Sequence, residues 1–176
     1  LGVEIVRSNE NKQARPVSLQ DFQFNCPKIY VLSNEAFGSV QLKNCIDELE
    51  RLGQSGIFCV GLPIENYSKV VQTQVQRRID LLAIEQNAWK LAACDKRCVV
   101  VETKTELDWA VKNGQISVWA PAKMLLDSKN LPDFDLGNIL SLSEWLANEF
   151  GAQYLTLIGD IPNTYCSIKI ETIPLN

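Results

Sequence analysis

The stretch Phe134–Ile161, FDLGNILSLSEWLANEFGAQYLTLIGDI, decides how this chain folds. Leu142, Trp145, Leu146 and Phe150 recur at helical spacing, and Gly151 follows where a residue of positive φ ends a helix at least cost. Ser141-x-x-Glu144 is a capping-box pattern, which predicts a regular helix starting near Leu140 to Ser141. Tyr154 to Ile158 is a short β-prone run with Gly159-Asp160 at its carboxyl end, the edge at which open α/β sheets bind ligands. The stretch reads as loop, helix and buried strand: one unit of a larger α/β core.

The units around it have the same build. Lys28 to Ser33 (KIYVLS) and Gly56 to Gly61 (GIFCVG) are near-continuous apolar runs of strand length, as expected of parallel strands covered on both faces. Between them, Phe37 to Leu52 carries Val40, Leu42, Cys45, Ile46, Leu49 and Leu52 toward a core at helical spacing and stops at Gly53. A long helical region spans about Tyr67 to Ala93, with a break expected near Arg77-Arg78; Ile79, Leu82, Gln86, Trp89 and Ala93 fall on one side of it. Cys98 to Glu102 is a third strand, and Thr103-x-x-Glu106 caps a short helix that ends at Asn113-Gly114. Ile116 to Ala120 is a fourth strand with Pro121 at its exit, Lys123 to Asp135 an irregular connection, and Tyr165 to Ile173 a last strand. Residues 1 to 27 hold one β-like run, Val3 to Val6, and read as an edge strand or an extension.

Strands alternating with helices at this rhythm predict a three-layer α/β/α fold around a mostly parallel central sheet. At 176 residues the simplest organisation is a single domain, long enough for a sizeable core. The start at Leu1, without Met, is expected of a chain from which a short leading piece is missing.

Composition narrows the chemistry. A net charge of −4 with no concentrated basic segment gives no support for a nucleic-acid partner. No apolar run reaches membrane-spanning length, and the first residues lack the pattern of a signal peptide. Six scattered cysteines, with Cys94-x-x-x-Cys98 as the one close pair, fit reduced thiols in a cytoplasmic protein. The absence of histidine excludes Ser–His and Cys–His nucleophile pairs and leaves a zinc site without its usual ligands.

Three pieces, DLLAIEQNAWKLAA (Asp80–Ala93), ISVWAPAKML (Ile116–Leu125) and SEWLANEFGAQYLTLIGDIPNTY (Ser143–Tyr165), carry a resemblance to the amino-acid kinase superfamily. Within it the chain looks most like the small phosphate kinases of the methanofuran-cofactor pathway and their relatives in methylotrophic bacteria. The resemblance implies phosphoryl transfer from ATP with Mg²⁺ at the strand tips. The chain departs from the family at those tips. The family's opening strand ends K-L-G-G-S; here Val31 stands at the lysine position, followed by Leu32-Ser33-Asn34-Glu35. The second glycine turn is reduced to Gly61 with Pro63, and the W-D-x-T-S-D motif to Phe134-Asp135-Leu136-Gly137-Asn138, with the catalytic Asp position falling near Ile139 or Leu140. The nucleotide-contacting lysine of the last motif is replaced by Gly159, although Asp160 and Tyr165 remain.

Phosphoryl transfer asks a protein for backbone NH groups close to the phosphates and for cations that neutralise the transferred group. The resemblance therefore implies a vestigial phosphate or ligand site at Ser33, Asn34, Gly61, Gly137, Asn138 and Asp160, with no catalytic residue and no metal site. Lys28, Lys69 and Lys123 are the lysines that might replace the missing ones, and Asp135 and Asp160 the carboxylates for Mg²⁺; as isolated surface residues each has a plainer reading. Trp89, Trp109, Trp119 and Trp145 read as core or interface residues. The expectation is a non-catalytic structural or regulatory subunit, a homodimer or a partner of a related chain. An active ATP-dependent kinase using unconventional residues and a metabolite- or anion-binding module are the alternatives.

Overall fold

The computed structural model describes residues 26–61, 74–127, 139–161 and 166–176. Six strands are present among them: β1 (Lys28–Leu32), β2 (Gly56–Val60), β3 (Cys98–Val101), β4 (Ile116–Trp119), β5 (Tyr154–Ile158) and β6 (Lys169–Ile173). They form one sheet in the order β3-β4-β2-β1-β5-β6, every pair parallel. The helices are α1 (Val40–Leu52), α2 (Gln74–Cys94), α3 (Lys104–Lys112), α4 (Ala122–Asp127) and α5 (Ile139–Phe150).

Strand alternation sorts the core into two layers. Ile29 and Val31, Ile57 and Cys59, Trp119, Leu155 and Leu157 point to one face, where Leu107, Ala110 and Val111 of α3 and Leu142, Leu146 and Ala147 of α5 cover them. Tyr30, Leu32, Phe58, Val60, Ile116, Val118 and Ile158 point to the other, against Leu42, Ile46 and Leu49 of α1 and Ala88 and Leu91 of α2. The expected α/β/α sandwich is present, and its sheet is entirely parallel among the described residues.

Local signals explain most of the boundaries. The Ser39 hydroxyl accepts from the Leu42 NH to start α1, and Gly53, at φ 62°, closes it in the left-handed region. At α3 the Thr103–Glu106 capping box forms with both of its bonds. Arg97 joins the turn before β3 to α1, meeting Asp47 at 2.7 Å, Glu50 at 3.0 Å and Asp95 at 2.8 Å. Lys43, and after it Arg97, hold Asp47 below its usual pKa, and Arg97 does the same for Asp95.

Several expectations are corrected. The second capping pattern does not start α5: Ser141 is the helix's third residue, and the Glu144 carboxylate instead accepts from the NH and hydroxyl of Ser167 before β6. The α2 backbone runs through Arg77-Arg78 without the expected break, because neither residue obstructs the helical ladder. Its buried face is Leu81, Ile84, Ala88 and Leu91, so Leu82 and Trp89 of the anticipated stripe face outward, 47% and 51% exposed. A short helix, α4, occupies the start of the supposedly irregular connection, and β6 begins at Lys169 rather than Tyr165. The runs Val3 to Val6 and Tyr67 to Thr73 lie outside the described residues.

Candidate functional site at the carboxyl edge of the sheet

In the strand order, the connection leaving β1 runs toward β2 and that leaving β5 runs toward β6. The carboxyl ends of β1 and β5 therefore diverge at a topological switch point, where an open α/β sheet presents its binding crevice. Ser33 and Asn34 follow β1, Gly61 follows β2, and Gly159 and Asp160 follow β5. Four of the six residues assigned to the vestigial site, Ser33, Asn34, Gly61 and Asp160, thus arrive at one edge. Gly137 and Asn138, with Asp135, lie outside the described residues.

Among the described residues, three backbone donors of this edge are already engaged. The Ser33 NH donates to the Ile158 carbonyl at 3.0 Å, the Gly61 NH to Leu32 at 2.9 Å and the Gly159 NH to Ile173 at 3.0 Å. These bonds continue the ladder one residue past the strands, so these three NH groups are spent within the sheet. Sequence reasoning assigned the Ser33 NH to a possible anion; hydrogen bonding to β5 removes it. Asn34 turns toward α2, its Oδ1 accepting from Asn87 Nδ2 at 3.5 Å.

The gap between the β1 and β5 tips is also filled. Gly159 has φ 98°, and a Cβ built there would overlap Ser33 Oγ, lie 2.9 Å from Ser33 Cβ and come 3.3 Å from Leu175 Cδ1. The tail after β6 thereby packs Leu175 over the place where the superfamily carries a lysine. Ser33 Oγ is buried in this contact with no hydrogen-bond partner among the described residues. Two other positions at which the resemblance implies a replaced residue are core: Val31 is fully buried, and Leu140, at the expected catalytic Asp position, is 1% exposed against the α5 face of the sheet.

The substitute lysines separate by location. Lys28 sits at the opposite, amino end of β1, 3.9 Å from Glu48, and cannot serve the carboxyl edge. Lys123 on α4 follows the β4 tip and is exposed, with Glu106 close enough to feel its charge. Lys69 lies outside the described residues. The exposed carboxylates of Glu35 and Asp160 follow β1 and β5 at the same edge. No group of three or more Cys, Asp or Glu side chains arranged to hold a metal occurs among the described residues.

Sequence reasoning read Gly159 as a missing lysine but gave no hint that this glycine receives Ser33. The available signal was reciprocal: a side chain larger than glycine at the β1 tip and glycine at the β5 tip, two positions that only the strand order makes neighbours.

Among solved structures, the chain is similar to UMP kinase from Ureaplasma parvum, with a TM-score of 0.53 and 10% identity over 81% of this chain and 73% of that one. At that identity the likeness is one of fold, and it agrees with the all-parallel sheet and its flanking helices. No protein-family model matches the chain, and no curated protein matches it.

Proposed function

We propose that this chain is a non-catalytic relative of the kinases whose fold it shares, acting as a structural or regulatory subunit, as a homodimer or beside a related chain. The observation that carries the reading is the closed β1–β5 tip. Ser33 fills the space beside Gly159, and three edge NH groups are bonded within the sheet. A kinase needs both the donors and the room for its nucleotide. Losing the cations that neutralise a transferred phosphoryl group removes several kcal/mol of transition-state stabilisation, on the order of 3 kcal/mol per strong donor. The outward face of α2, with Leu82 and Trp89 in water, supplies apolar surface for association. Resemblance to the methanofuran-pathway kinases extends the proposal to one-carbon cofactor biosynthesis in the cytoplasm, and the genes adjacent to this one test that extension.

Thermal melting with and without millimolar ATP, ADP or UMP and Mg²⁺ decides between the subunit and the enzyme. The expected result is an unchanged Tm in every case. A saturable rise in Tm with any of the nucleotides, accompanied by ATP turnover, overturns the proposal in favour of a kinase that works with unconventional residues such as Lys123.

A further inference from the structure

Away from the carboxyl edge, the face of the sheet carrying α1 and α2 is covered unevenly. A groove of about 290 Å³ remains between α1 and the β1–β5–β6 side. Its floor is set by register: Tyr30 of β1 pairs with Thr156 of β5, and Thr156 pairs with Glu171 of β6. The three side chains form a polar row, with Leu32, Ile158 and Ile173 in the next row toward the carboxyl ends and Lys28, Tyr154 and Lys169 in the row toward the amino ends. Parallel strands lie about 4.8 Å apart, so the row extends roughly 10 Å.

Tyr30 and Thr156 are 5% and 6% exposed, and both line the groove. The Tyr30 ring is fixed by stacking on Phe58 at 4.7 Å, which holds its hydroxyl in place. A hydroxyl that lines a groove offers a ligand both a donor and an acceptor. On the α1 wall, Asn44 and Glu48 line the groove, and Tyr154 flanks the floor.

Charge selects the ligand. Lys28 is turned to Glu48, whereas Glu171 on the far strand has no ion-pair partner among the described residues. Among the lining residues two carboxylates stand against one already engaged cation, with Lys169 on the same face but outside the lining, so the groove itself favours a positive group over a phosphate or carboxylate. The volume falls at the small end of ligand pockets, which run from roughly 300 to 1,000 Å³. We propose that this groove binds a small polar ligand bearing a primary ammonium group, with Glu171 facing the ammonium and the Tyr30 and Thr156 hydroxyls meeting its neighbouring polar atoms. The site is separate from the strand tips and does not depend on whether those tips bind nucleotide.

Glucosamine, glucose and inorganic phosphate serve as probes of the full chain by NMR titration. The first carries the ammonium and hydroxyls, the second the hydroxyls alone, the third an anion. The expected result is saturable shifts of β1, β5 and β6 resonances with glucosamine, at least tenfold weaker affinity for glucose, and none for phosphate. Glu171→Gln, at an exposed position, keeps the fold and is expected to weaken glucosamine at least tenfold, and Thr156→Val to weaken it severalfold. No saturation with glucosamine, equal affinity for glucose, or binding unchanged by both substitutions overturns the assignment.

Discussion

Ser33 and Gly159 depend on each other more closely than on any neighbour in sequence. A methyl group at position 159 meets Ser33 Oγ and forces a non-glycine residue to φ 98°. The strained backbone and the overlap each cost of order 1–3 kcal/mol, so Gly159→Ala is expected to lower unfolding free energy by about 3 kcal/mol in urea. Adding Ser33→Gly removes the overlap but leaves the backbone strain. The double variant is therefore expected to recover about 1–2 kcal/mol relative to the sum of the single changes. Additive effects would show that the two tips do not touch. This contact could not be read from the chain, because 125 intervening residues say nothing about which tips become adjacent. Val31 was different: its burial follows from its place in the apolar run KIYVLS without any structure.

Strands β2 and β3 each place a cysteine in the core, Cys59 and Cys98, and burial pushes both thiols up to about 12. A raised thiol pKa favours the protonated form in the folded state. The contribution is fully present below the unfolded thiol pKa and is lost as pH rises through the folded value. Urea midpoints are accordingly expected to fall between pH 9 and pH 12, by up to about 1.4 kcal/mol per pH unit for each thiol. Cys59→Val should reduce that slope, and an unchanged slope would remove Cys59 from the account. The same elements show what periodicity can and cannot give. Apolar runs identified all five strands expected between Lys28 and Ile158, since a parallel strand covered on both faces leaves a continuous signature. Boundaries were less secure where two partners competed for one side chain. Glu144 fits a capping box in sequence, yet Ser167 claims it in the fold.

For the molecule as a whole, the outward side of α2 is where association is expected. Leu82 and Trp89 lie two turns apart, both about half exposed, while the opposite side of the helix is packed on the sheet. Light scattering should find a species larger than the monomer, and Trp89→Glu should shift it toward the monomer without altering the circular dichroism. A wild-type chain that remains monomeric at high concentration would rule out the homodimer and leave association with a related chain.

Residue types and their spacing were sufficient to establish the α/β/α class, because burial on both faces is a property of single segments. Which tips meet, which NH groups are consumed and which polar residues line up in a groove were decided by tertiary structure alone. Each depends on strand order and register, and a register row such as Tyr30–Thr156–Glu171 brings together residues that are far apart along the chain.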